Sequence, residues 1–464
     1  MSLPLRASSP VRYPPPPSAS LPLLARLAPL LAILLLSLLL APSLFPSPWL
    51  SSASSHPLHI FLRPPLPVVP PLTHAHPVSG CRDTSLTALE GRENAAVVVL
   101  LREKDLAELL PTLRNFEDKI NALFRYPYVF LASPDEGDLS PSFRRAVAEE
   151  LPADAVVEYG VVPAAHWAIP PWMDEEEVRR GFVKQEEQGV QYAGREGYHH
   201  MCRWYAGLWV RHPLLAKYDW FWRLEPGVRF YCSITYDPIR FLASRHKLYG
   251  FTISVVENAN TIPTLFDHTL QYMDERGMSP RRDVDPALWG FLTRRNAAGK
   301  EEFTGCHFWT NMEGRLYIGD LRFFRSKEYQ DYFRFLDEAG GFYTERWGDA
   351  PVRALALGLF ARIDQIHHFS DLAYQHDWFL SCPRRSTSRI PSTGRDPLLH
   401  ISSAGKDGLG VVEQKDVVGC RCECPKEGEL QGREEGQGIV DMGTDWRFSC
   451  LEQWEAAVRK SRGL

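Results

Sequence analysis

Glu225, Glu313 and His376 are the side chains whose type and setting suit chemistry on a charged substrate. Glu225 lies in residues 218–232, YDWFWRLEPGVRFYC. Trp220, Phe221, Trp222 and Leu224 are strand formers, and Pro226 turns the chain immediately after the carboxylate. That places Glu225 at the rim of a sheet, where open α/β sheets bind ligands beyond the carboxyl ends of their strands. The plainer alternative is an Arg223–Glu225 surface pair beside a turn. Glu313 lies in the Trp- and Asn-containing CHFWTNME segment, and His376 in an aromatic run before Cys382. A carboxylate and an imidazole converging on one site suit a divalent ion of the manganese type, with phosphate and water completing the shell. A diphosphate leaving group needs that neutralisation. A second carboxylate beneath an anomeric carbon acts as nucleophile or stabilises an oxocarbenium-like transition state. Spacing leaves open whether the three residues meet. Singly, Glu313 also reads as a buried hydrogen-bonded carboxylate, and His376 as a satisfied histidine.

The elements that must position these groups begin with AAVVVLL at 95–101, a continuous apolar run suited to a buried parallel strand. Leu106, Leu109, Leu110, Leu113, Ile120 and Leu123 follow at helical spacing. Strands over 128–131 and 156–162 flank a helix over 143–151, completing an opening of the nucleotide-binding kind. There is no G-x-G-x-x-G, no Walker loop and no G-x-S-x-G elbow. Arg102, at the end of the first strand, is placed to meet a base or phosphate, or is an ordinary exposed arginine. Residues 198–211 read as a helix, 249–256 as one strand, 274–300 as a polar surface excursion, and 329–339 and 354–360 as helices. After Pro383 the chain is polar, with late cysteines.

The chain has 464 residues, a formal charge of −5 and 44% hydrophobic content, enough for a large core and without the basic balance of a nucleic-acid binder. Most of its 13 Trp and 17 Tyr are expected in core packing. Asp83 is the first acidic residue. Arg6, Arg12 and Arg26 precede an apolar run at 27–45 long enough to span a bilayer. The expected arrangement is a cytosolic tail at 1–26, a signal anchor at 27–45, a Pro/Ser-rich stem at 46–92 and a lumenal domain at 93–464. A cleaved signal peptide, with Ala41 near the cleavage site, is the competing arrangement. Either route leads to an oxidising compartment. The nine widely spread cysteines suit disulfides there, and CRCEC at 420–424 lacks zinc-ribbon spacing.

The motifs YHHMCRWYAGLWVRHPLL, YDWFWRLEPGVRFYC, YGFTIS, CHFWTNME, IGDLRFFRS and GGFYTERWGDAPV occur in this order, before the final aromatic-His-Cys-Pro segment. Together they closely resemble the fungal Golgi α-1,2-mannosyltransferase family. The resemblance implies an α/β, GT-A-like nucleotide-sugar transferase fold and a type II Golgi membrane protein. It also implies GDP-mannose as donor, a mannoside or glycoprotein as acceptor, Mn²⁺ as cofactor and retention of configuration. By position, Glu225 and His376 match the family's metal ligands, Glu313 the proposed nucleophile and Tyr198 an active-site tyrosine. Asp349, in the GGFYTERWGDAPV motif, joins Arg102 as a donor-binding residue. The resemblance further implies bridges at Cys202, Cys232, Cys306, Cys382 and part of the cysteine tail. Two departures stand out. Gly227 replaces an acidic residue of many members, and Gly314, Arg315, Leu316 and Tyr317 intervene between Glu313 and IGDL. The insertion raises the alternative of a catalytically impaired carbohydrate-binding relative; a mannosylphosphate transferase is a third reading.

Overall fold

The apolar run AAVVVLL forms β1 (Ala95–Leu101), and every residue of it is buried. Continuous Val and Leu without alternation is what a strand covered on both faces requires. The computed structural model describes residues 92–234, 236–308, 317–376, 379–383, 422, 424–425, 440–441 and 448–463. All belong to the second of the two units, 1–62 and 63–464, into which contacts divide the chain. The expected tail, the anchor at 27–45, nearly all of the stem, and Glu313 lie outside the described residues. Among the described residues, no helix is long and apolar enough to cross a membrane.

α1 (Leu106–Phe116) follows β1, buries Leu109, Leu113 and Phe116, and leads to β2 (Tyr128–Ala132). α2 (Pro141–Glu150) then leads to β3 (Val157–Val161). Ser140 accepts from the Phe143 amide at 3.1 Å, and Pro141 opens the helix. A serine N-cap followed by proline at the first helical position is a start signal with a direct cause: it satisfies or removes orphan N–H groups. The three strands pair in parallel, and β4 (Trp220–Arg223) joins β1 on its other side, also parallel.

Residues 196–211 run through consecutive helical segments, opening with α3 (Glu196–Arg203). After β4 the chain turns into the short β5 (Arg229–Phe230). The single strand expected over 249–256 is two. β6 (Tyr249–Phe251) stays in the main sheet, whereas β7 (Ser254–Val256) leaves it and pairs with β8 (Cys306–Phe308). The 274–300 stretch is also more than a surface excursion. It contains α4 (Pro286–Leu292), with Leu288, Trp289, Phe291 and Leu292 buried. Asp285 caps it through the Ala287 and Leu288 amides at 3.0 and 2.8 Å. The apolar run is too short to dominate its polar window, which hid it.

β9 (Tyr317–Asp320) runs antiparallel to both β4 and β6, and β10 (Ile366–His368) lies parallel to β6. The sheet order is therefore β10-β6-β9-β4-β1-β2-β3, in which β9 alone opposes the other six. Tyr317, last of the four additional residues, is the first residue of a core strand, and it is fully buried. α5 (Lys327–Ala339) and α6 (Asp349–Phe360) follow. β11 (Tyr374–His376) joins β5 and β12 (Phe379–Ser381) in a second, four-stranded sheet.

Trp204, Trp209, Trp220, Trp222 and Trp347 are fully buried, so the tryptophan richness serves the core. Burial of each such side chain contributes about 1.5–3 kcal/mol or more. The polar tail ends in α7 (Leu451–Ser461), whose Trp454 meets Phe251 and Phe308 edge-on at 5.3 Å each. Disulfides join Cys232 to Cys422, Cys306 to Cys450 and Cys382 to Cys424. Cys202 departs from the expectation of a bridge: it is a buried free thiol. It lies beside Tyr198 and Arg346.

Candidate active site

A cavity of about 420 Å³ opens beyond the carboxyl ends of three adjacent parallel strands. Leu100, Leu101 and Arg102 come from the end of β1, Ser133, Asp135 and Glu136 follow β2, and Glu225 with Pro226 follows β4. Asp105 and Glu108 close one side, and Trp167, Arg195, Gly197, Tyr198 and Met201 another. Strand direction dictates this placement: β1, β2 and β4 all release their chains on the same edge.

The turn after β4 fixes Glu225. Gly227 has φ +84°, a conformation that disfavours a side chain, and follows Pro226 as a type II turn requires. The Gly227 amide donates to Thr112 Oγ1 at 2.8 Å. Asn115 on α1 then holds Phe230 from both sides, accepting from its amide at 2.7 Å and donating to its carbonyl at 3.1 Å. Helix α1 thus clamps both ends of the turn that follows the carboxylate.

Behind Glu225 lies a buried ion network. Arg223 Nε donates to Glu225 Oε1 at 2.7 Å and its Nη1 to Asp349 Oδ2 at 3.1 Å. Arg353 Nη2 donates to the same Asp349 oxygen at 2.6 Å. The Arg223 guanidinium lies over the Tyr205 ring at 3.1 Å, and that of Arg353 over Tyr317 at 4.1 Å. The Arg223 side chain is 0% exposed, so the reading of a surface pair is wrong: the pair exists, in the interior. Burial raises the Glu225 pKa above the ordinary carboxylate value, and Arg223 opposes that rise.

His376 is fully buried on β11, which pairs with β5 through Phe230 opposite Tyr374. Tyr374 and His376 share one face of the strand, as alternate residues do. The Tyr374 pKa is driven well up by burial and then by the Glu225 charge, so β11 lies within electrostatic reach of that carboxylate. Tyr198 presents its ring to the cavity while its hydroxyl is buried, which keeps it protonated. Arg102 lines the cavity, half exposed and bound bidentately by Asp105 at 2.9 and 3.1 Å. Asp349 is fully buried and not on the cavity wall; it reaches Glu225 through Arg223. Glu313 falls between β8 and β9, outside the described residues.

A family model described as glycolipid 2-alpha-mannosyltransferase matches residues 73–393. The chain belongs to this family. Among its relatives, the glycolipid 2-alpha-mannosyltransferase of Saccharomyces cerevisiae is 38% identical over 334 residues, covering 70% of this chain and 72% of that protein. The probable mannosyltransferase KTR4 of the same yeast is 38% identical over 299 residues, covering 64% of this chain and 62% of that protein's length. The crystal structure of core-mannan synthase A from Aspergillus fumigatus in a Mn/GDP form superposes with a TM-score of 0.61 at 30% identity, covering 80% of this chain and 86% of that one. The yeast Ktr4p structure in complex with GDP gives 0.58 at 35% identity, covering 65% and 75%. These kinships favour mannosyl transfer over the carbohydrate-binding and mannosylphosphate readings.

The sequence did not single out Asp105 and Glu108 at the start of α1, Asp135 and Glu136 after β2, or Arg195 just before α3, all of which line the cavity. It also missed the network that joins Arg223 to Asp349 and Arg353. The available signal was Arg223 itself, a charged residue inside an otherwise apolar aromatic strand, where an unpaired charge is too costly to bury.

Proposed function

We propose that this family member is a retaining α-1,2-mannosyltransferase that takes mannose from GDP-mannose and extends mannose-terminated glycans, on a GT-A-like scaffold. The observation that carries the reading is Glu225, held by a buried arginine at the end of β4 and facing a cavity beyond three parallel strand ends. One reversed strand among seven, next to the strand that carries Glu225, is consistent with that scaffold.

The cavity residues fit a divalent cation. Five carboxylates, Asp105, Glu108, Asp135, Glu136 and Glu225, face two arginines, so a diphosphate entering alone would meet net negative charge. Among the described residues, no group of three or more His, Cys, Asp or Glu side chains is arranged to hold a metal. A site with one carboxylate and one imidazole, Glu225 and His376, leaves the other positions to phosphate and water. When bound, Mn²⁺ would neutralise charge on the departing GDP. The chain's own residues have separate tasks. Arg223 opposes the rise that burial imposes on the Glu225 pKa, and Asp349 with Arg353 anchors Arg223. The Tyr198 ring walls the cavity, and Arg102 lies at its rim for the nucleotide. Glu313 is assigned to the sugar's reactive face, as nucleophile or as stabiliser of a same-face displacement.

The apolar run at 27–45 supports a single-pass anchor with the domain in the Golgi lumen, where the disulfides among the described residues would be stable. The test is transfer of labelled mannose from GDP-mannose to α-methyl mannoside, with and without Mn²⁺, followed by linkage analysis. A Mn²⁺-dependent α-1,2-linked dimannoside is expected. Hydrolysis without transfer, or a product that retains phosphate, would overturn the reading.

A further inference from the structure

Four planar groups follow one another from the cavity rim into the interior. The Arg195 guanidinium lies 4.6 Å from the centre of the Tyr192 ring. The Tyr192 and Tyr198 rings are 5.1 Å apart, and Arg346, 1% exposed by its side chain, lies 5.5 Å from the Tyr198 ring. Tyr192 has φ +63°, a left-handed conformation that a tyrosine adopts at a cost of about 1–2 kcal/mol. The strain is retained where it aims a ring between Arg195 and a cavity-lining tyrosine.

The two arginines of the cavity differ. Arg102 is engaged by Asp105 through two hydrogen bonds. Arg195 is exposed, lines the cavity, and has no carboxylate among the described residues within ion-pair distance. Its face is covered by Tyr192, and stacking leaves the in-plane N–H groups of a guanidinium available for bidentate contact with an anion. A neutral mannoside needs no such cation, whereas a nucleoside diphosphate does. We propose that Arg195 is a donor-contacting residue that binds the diphosphate, and that Tyr192 is its positioning residue. The inference rests on the reading of a nucleoside-diphosphate-sugar donor and deepens it.

The test measures GDP binding by calorimetry in the presence of Mn²⁺ at low and high salt, and the KM for α-methyl mannoside, on the parent and three variants. Arg195→Gln is expected to weaken GDP binding about tenfold and to reduce its salt dependence. Arg195→Lys keeps the charge without the fork and should lose about threefold. Tyr192→Gly relieves the left-handed strain, so the fold is retained, yet it removes the ring beneath Arg195 and should also weaken GDP about threefold. The mannoside KM should stay within about twofold in all three, because that interaction involves no charge on the acceptor. If Arg195→Gln binds GDP as the parent does, or raises only the mannoside KM, the inference fails. A parent that does not bind GDP overturns the donor reading itself. Unchanged melting temperatures establish that any loss is local.

Discussion

Replacing Arg223 with methionine keeps the volume of a core position and removes the cation that holds Glu225. In the parent, Arg223 is fully buried and donates to Glu225 at 2.7 Å and to Asp349 at 3.1 Å. Asp349 retains Arg353 at 2.6 Å, so only Glu225 becomes an uncompensated buried carboxylate. Removing one partner of a buried pair costs about 3–5 kcal/mol. Glu225 moderates that cost by taking a proton, so about 3 kcal/mol at neutral pH is expected. For a domain of this size that is a fall of about 4 °C in melting temperature. The sign of the pH dependence follows. Loss of Arg223 raises the folded-state pKa of Glu225 further, because the influence opposing burial is gone. A raised carboxylate contributes stability below its unfolded pKa and loses it as pH rises through the folded value. The gap between Arg223→Met and parent should therefore be small in mild acid and widen toward neutral pH. Thermal melts monitored by circular dichroism across that range, with Mn²⁺-dependent transfer assayed in parallel, make the measurement. A variant that melts with the parent at every pH and keeps its metal requirement would refute the role given to the pair.

Asp371 is buried beside Tyr236, whose hydroxyl donates to it at 2.8 Å, and burial pushes its pKa up to about 7. It therefore subtracts stability as pH rises from about 4 to 7, by about 4 kcal/mol at most, and Asp371→Asn should flatten the pH dependence of urea unfolding over that interval. An unchanged slope would remove Asp371 from the account. The Cys306–Cys450 bridge closes a loop with a sequence separation of 144 and holds α7 against the core. Its double serine variant should lose about 4–5 kcal/mol in equilibrium unfolding; a loss below about 1 kcal/mol would mean that Trp454 alone docks the helix.

How much was legible in the sequence depended on the range of the signal. The β1–α1–β2–α2–β3 opening was readable because its strands are continuous apolar runs and its helices keep a steady period. The placement of Glu225 at the sheet rim was readable because a charge and a proline end an aromatic strand. The break between β6 and β7 was not, since YGFTISVV carries no Gly–Pro punctuation where it changes sheets. Helix α4 was hidden by a polar neighbourhood, and its stabilising contacts come from residues distant in sequence, including the C-terminal Trp454, whose ring lies 5.4 Å from Phe291. The free Cys202 shows the limit of carrying a bridge over by position: a thiol's partner is set by three-dimensional approach. Asp349 illustrates the same point, because the distance from its motif to Glu225 is spanned by Arg223.

The most direct test of the metal assignment is a Mn²⁺ titration followed by electron paramagnetic resonance in the presence of GDP. One bound Mn²⁺ is expected in the parent, with loss of that binding in both Glu225→Gln and His376→Ala while their folds stay intact. Parent-like Mn²⁺ affinity in either variant would contradict the metal assignment.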